Sequence, residues 1–85
     1  SKLGNKQGAM DDYNKALELN PKFAEVYLNR GNLKNESGDK QGAIQDYDKT
    51  IEFNPKYAEA YYNRGILKSD LDDRKGAMDD YNKAI

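Results

Sequence analysis

Small and apolar side chains recur along the chain at steps of three and four residues, the spacing that places them on one face of an α-helix. Ala9, Tyr13, Ala16 and Leu17 make one such set. Ala43, Tyr47, Thr50 and Ile51 make the next, and Ala77, Tyr81, Ala84 and Ile85 a third. In the segments between them, Val26, Arg30 and Leu33 share one line and Tyr27, Gly31 and Lys34 another, repeated as Ala60, Arg64, Leu67 and Tyr61, Gly65, Lys68. Asn20-Pro21 and Asn54-Pro55, with the polar stretches around Gly4-Asn5, Gly38-Asp39 and Asp72-Asp73, punctuate this pattern. Proline supplies a helix-compatible φ, so each Asn-Pro is expected to close one helix and open the next, with the asparagine as cap. Asn5, Asp39 and Asp73 stand where a side-chain oxygen can cap free backbone N–H groups. The pattern predicts five helices, about 5–19, 22–36, 40–53, 56–70 and 74–85. Connections this short make neighbouring helices antiparallel.

The pattern has a fixed period. Of the 28 pairs from Ala24/Ala58 to Ile51/Ile85, 15 are identical at a shift of 34, and pairing Leu3–Phe23 with Ser37–Tyr57 gives 12 identities in 21. A period of this length implies a stack of supersecondary units, each burying its apolar face against the next. The divisions are 1–23 as a partial unit holding a second helix only, 24–57 as a complete unit and 58–85 as a nearly complete one. The chain thus reads as a piece of a longer array.

Those residues resemble the tetratricopeptide repeat: Tyr27, Gly31, Ala43, Tyr47, Thr50 and Pro55 fill its slots in the middle unit. Tyr61, Gly65, Ala77, Tyr81 and Ala84 fill them in the last, and Ala9, Tyr13, Ala16 and Pro21 in the first. The resemblance implies an all-α fold, an α-solenoid of antiparallel helical hairpins coiled as a right-handed superhelix. It also implies a protein-protein interaction scaffold that holds a peptide or partner segment along the concave wall formed by the first helices. By slot, that wall is Glu25, Leu28, Asn29, Asn32, Asn35 and Glu36, then Glu59, Tyr62, Asn63, Ile66, Ser69 and Asp70. Asn29 and Asn63 are the leading candidates, since a carboxamide both donates to and accepts from a peptide main chain. The acidic lining favours a basic ligand, and Leu28, Tyr62 and Ile66 suit its apolar portions. Some family members clamp acidic chaperone tails with Lys, Asn and Arg. Glu25, Leu28, Glu59 and Tyr62 occupy slots that such a clamp needs basic, which disfavours that ligand here.

Two departures from the family pattern put charge into the hairpins. Arg30 and Arg64 replace a leucine, and Lys34 and Lys68 replace an aromatic. An arginine in line with Val26 and Leu33 needs a carboxylate partner if it is buried, and we expect Arg30 with Asp46 and Arg64 with Asp80; the alternative is that both snorkel to water. Gly8, Gly42 and Gly76 recur near helix starts, where glycine costs about 1 kcal/mol relative to alanine. Close approach to a partner helix is the favoured reason, and copying by duplication the other.

Composition narrows the function. With 14 basic and 15 acidic residues and a net charge of -1, the chain has no basic stripe for nucleic acid. It holds neither cysteine nor histidine, which removes thiolate nucleophiles, imidazole bases and the usual zinc ligands. The adjacent pairs Asp11-Asp12, Asp72-Asp73 and Asp79-Asp80 point about 100° apart on a helix and make no acid–base dyad. Asp70–Asp73 opens like a calcium loop, yet Lys75 and Tyr81 stand where that loop needs Gly and Glu. Neither an enzyme, nor a cofactor, nor a metal site is expected. With a mean hydropathy of -1.14 and no apolar run near the ~20 residues of a membrane span, a soluble, cytoplasmic chain without a membrane partner is expected. A second function is a structural or assembly module that forms homo-oligomers through its end faces. Candidate end-to-end contacts are Tyr13 in front and Leu67, Leu71, Met78 and Ile85 behind.

Overall fold

The computed structural model describes the backbone of residues 2–85 and the side chains of residues 5–85. Five helices follow one another: α1 (Lys2–Leu19), α2 (Ala24–Glu36), α3 (Lys40–Phe53), α4 (Ala58–Asp70) and α5 (Arg74–Ala84). Each packs chiefly on its neighbours in sequence, giving a slab of 36 × 25 × 17 Å. This is an all-α solenoid of helical hairpins, with no strand among the described residues.

Asp39 and Asp73 cap α3 and α5, their carboxylates accepting from the N–H of Gly42 and Gly76 at 2.9 Å. A Cβ at Gly42 or Gly76 would run into that capping carboxylate, and at Gly8 it would meet nothing within 4 Å. These glycines therefore make room for a cap or for nothing, and the expected close approach to a partner helix is not found there. Such approach occurs at Gly31 and Gly65, where a Cβ would lie 2.8 Å from a ring carbon of Tyr47 or Tyr81. The missing side chain lets the two helices of each hairpin touch.

The Asn-Pro junctions differ from expectation. Pro21 and Pro55 lie in turns, and α2 and α4 begin three residues later after Phe23 and Tyr57, neither of which gives a side-chain cap. Asn20 and Asn54 accept from the N–H of Lys22 and Lys56, two residues on. That local turn competes with the helix and delays it. Asn5 caps no helix, because α1 already starts at Lys2.

The core is Leu28, Ala43, Tyr47, Ala60 and Leu67, with Ile44, Ile51 and Tyr57 packed against it. Two residues assigned to surfaces from their slots are therefore interior. Leu28 is 3% exposed and Leu67 1%, so Leu28 does not line a groove and Leu67 is no end contact. Tyr62, at the slot of Leu28, is 54% exposed. Ala60 and Tyr57 close over the cluster that holds Leu28, whereas Tyr62 lines an open cleft with Tyr81 and Ile85.

Candidate functional site

Between α2 and α4 the surface sinks into a depression of about 270 Å³ lined by Asn32, Asn35, Glu36, Tyr47, Asn63 and Ile66. Tyr47 comes from α3 behind, its ring buried and its hydroxyl donating to Asn32 Oδ1 at 2.5 Å. Asn63 Nδ2 donates to the same oxygen at 3.1 Å. Burial first, then the charges of Glu59 and Asp46, push the Tyr47 phenol up to about 12. It stays a neutral donor throughout the physiological range. The depression thus offers carboxamide groups, one carboxylate and the apolar side chain of Ile66.

Asn29 is half-buried, and Glu25, Glu36 and Glu59 are exposed. Burial first, then the charges of Glu25 and Glu59, raise the pKa of Tyr57. Asp70 is paired with Lys40 at 3.3 Å. Glu59 and Tyr62 line a second, apolar cleft of about 410 Å³ with Ala58, Tyr81, Ala84 and Ile85, at the α5 end of the molecule. The Tyr62 and Tyr81 rings lie there 5.8 Å apart.

On the hairpins, Arg30 grips Asp46 with Nε and Nη2 at 2.9 and 2.8 Å, and Arg64 grips Asp80 at 2.9 and 2.7 Å. Both carboxylates are nearly sealed from solvent and take a second cation, Lys34 at 3.2 Å and Lys68 at 3.3 Å. The third guanidinium nitrogen reaches the preceding helix, Arg30 Nη1 to Asn14 and Arg64 Nη1 to Asp48. Burial opposes ionisation of Asp80. Its bonds to Arg64 and the charges of Arg64 and Lys68 overcome this and hold the carboxyl below its ordinary value.

The sequence profile of the TPR repeat matches residues 2–38 and 31–72. The chain belongs to the tetratricopeptide repeat family. It is 52% identical over 31 residues to human tetratricopeptide repeat protein 6, a stretch covering 36% of this chain and 6% of that protein. Among solved structures, MamA superimposes with a TM-score of 0.91 at 30% identity over 98% of this chain and 48% of its own. A tetratricopeptide repeat protein from Parabacteroides merdae gives 0.88 at 33% identity over 96% of this chain and 32% of its own. The first TPR of Spaghetti (RPAP3), bound to the HSP90 peptide SRMEEVD, gives 0.89 at 25% identity, covering 98% and 66%. The chain thus spans about half the length of MamA and a small part of human tetratricopeptide repeat protein 6.

Three features of this tetratricopeptide array escape slot reasoning. The Tyr47 hydroxyl in the depression could have been suspected, because a tyrosine in a core slot needs a partner for its O–H. Lys34 and Lys68 as second partners of the buried carboxylates follow from their lying one turn after Arg30 and Arg64. The bonds to Asn14 and Asp48 have no signal beyond the period itself. Among the described residues, no His, Cys, Asp and Glu side chains group so as to hold a metal ion, and no helix is long and apolar enough to cross a membrane.

Proposed function

We propose that this chain is part of a protein-interaction scaffold whose α2–α4 wall takes a basic, partly apolar segment of a partner protein. The carrying observation is the depression itself, where carboxamides and Ile66 stand beside the exposed Glu36, and Glu25 and Glu59 are exposed as well. Carboxamides pair with an extended main chain, Ile66 offers apolar contact, and the carboxylates select lysine or arginine. The RPAP3 domain supports peptide binding as the general mode, and its ligand is acidic. A wall rimmed by Glu25, Glu36 and Glu59 repels such a ligand, so this reading inverts the charge preference. Asn63 already spends a donor on Asn32, which leaves Asn29 as the freer main-chain partner.

Calorimetric titration tests this with two peptides of equal length, one alternating Lys and Leu, the other Glu and Leu. The basic peptide binds more tightly, weakens as salt is raised, and loses affinity on Glu36→Gln with Glu59→Gln and on Asn29→Ala. Tighter binding of the acidic peptide, or no response to those substitutions, overturns the reading.

A further inference from the structure

The oxygen and nitrogen of a carboxamide are nearly the same size, so an asparagine fits its site facing either way. Asn32 and Asn63, bonded to one another, could therefore pair with either residue donating. Tyr47 decides between the two. It is 1% exposed, so its hydroxyl proton needs an acceptor inside the protein, and the one it reaches is Asn32 Oδ1 at 2.5 Å. That turns the Asn32 oxygen inward, where its second lone pair takes Asn63 Nδ2 at 3.1 Å. Both acceptor positions of this oxygen are then filled. Asn32 Nδ2 and Asn63 Oδ1 keep no partner among the described residues, and no buried side-chain nitrogen or oxygen there lacks one. Both atoms therefore lie open, in residues that line the depression. The arrangement does not recur one period on. Tyr81 repeats Tyr47, but Ile66 stands at the slot of Asn32.

We propose that Tyr47 is a positioning residue that polarises the wall, so that a partner's extended segment places a main-chain carbonyl on Asn32 Nδ2 and a main-chain N–H on Asn63 Oδ1. This rests on the wall being a peptide site, as argued above. A ligand must then bring an acceptor to α2 and a donor to α4. Lysine and arginine nitrogens only donate, so they are excluded from Asn32 Nδ2 and left to Glu36 beside it. Tyr47 itself touches no ligand; it acts through the order it imposes on the two asparagines.

Asn32→Asp separates this from simple charge attraction. A carboxylate keeps both bonds, accepting from Tyr47 and Asn63, but it replaces the outward donor with an acceptor and adds a negative charge. In titration with the alternating Lys and Leu peptide, Asn32→Asp weakens binding at least about fivefold, whereas attraction by charge alone would tighten it. Side-chain amide NMR of the uncomplexed 85-residue chain reads the polarity itself: Asn63 carries a slowly exchanging Nδ2 proton and Asn32 does not. Tyr47→Phe removes the hydroxyl that sets the order and abolishes this contrast, which loss of stability alone would not do. Asn32→Asp that binds as tightly as wild type, or more so, overturns the proposal. So does a contrast that survives in Tyr47→Phe. If the wild type does not take the basic peptide, the peptide-site reading of the wall falls, and the amide contrast still decides the polarity.

Discussion

Arg64 is held from two directions, by both carboxylate oxygens of Asp80 in its own hairpin and by Asp48 of the preceding helix at 2.7 Å. Arg30 repeats the arrangement with Asp46 and Asn14. Hydrogen bonding to the aspartate raises both guanidinium pKa values against the opposing effect of burial. Each arginine ties a hairpin shut and fastens it to the helix before it.

The two members of such a pair are unequal. Asp46→Ala leaves Arg30 and Lys34 together without a carboxylate, whereas Arg30→Leu leaves Asp46 with Lys34 at 3.2 Å. We expect Asp46→Ala to cost about 3 kcal/mol and Arg30→Leu about 1 kcal/mol. Urea unfolding followed by circular dichroism measures both, and an equal or larger loss for Arg30→Leu would refute the pairing. Asp48, with its side chain 54% exposed, contributes less, and Asp48→Asn should cost no more than about 1 kcal/mol.

Glycines at different places respond in opposite ways. Gly8→Ala should stabilise by about 0.5–1 kcal/mol, because the new methyl meets open space and helix propensity improves. Gly31→Ala drives a methyl to 2.8 Å from the Tyr47 ring and 3.2 Å from the Ala43 carbonyl, which should cost about 2 kcal/mol. At Gly42 the gain in propensity and the displaced Asp39 cap offset one another, so thermal unfolding should move little. A ranking with Gly31→Ala above Gly8→Ala would contradict the packing described.

Alkaline solution acts on Tyr47. The fold favours its neutral phenol, so this contribution is complete below the unfolded value of about 10 and is lost as pH rises through about 12. Glu59 and Asp46 are the charges acting on it, and its hydroxyl donates a hydrogen bond to Asn32 Oδ1. Stability should fall across that window by about 2–3 kcal/mol from this group. Tyr47→Phe should start less stable and show a flatter alkaline decline in denaturation series run every half pH unit.

Acid acts through Asp80. Its folded pKa is depressed, so its stabilising contribution is present above the unfolded value near about 3.9 and is lost as pH falls through the lower folded value. Unfolding midpoints should drop below that pH. Asp80→Asn should be less stable at neutral pH, and the gap to wild type should narrow in acid. A constant gap would contradict an ionised, arginine-bound Asp80.

Periodicity made the architecture legible. Small residues at Ala43 and Ala77, with Tyr47 and Tyr81 one turn on, mark where helices meet, and copying at a shift of 34 sets the order. The helix starts were less legible. Asp39 and Asp73 behave as their chemistry suggests, but the asparagines of Asn-Pro satisfy a local turn first and delay the helix by three residues. Leu28 and Tyr62 show why slots alone mislead about surfaces. They are equivalent in sequence, yet Leu28 is packed in a cluster with residues of α3 and α4 and Tyr62 lines an open cleft, a difference of tertiary surroundings that the slot does not carry. The α2–α4 depression escaped for a related reason, since it needs the hydroxyl of Tyr47 to emerge from a ring otherwise assigned to the core.

Asn63 and Arg64 are adjacent on α4 and point about 100° apart, one bonded to Asn32 across the concave wall and the other to Asp48 on the helix behind. Helix α4 is therefore fastened on two sides, by a carboxamide bridge to α2 and by a guanidinium bridge to α3. A main-chain N–H bonding to the Asn32 oxygen would have to displace the first bridge and would leave the second in place.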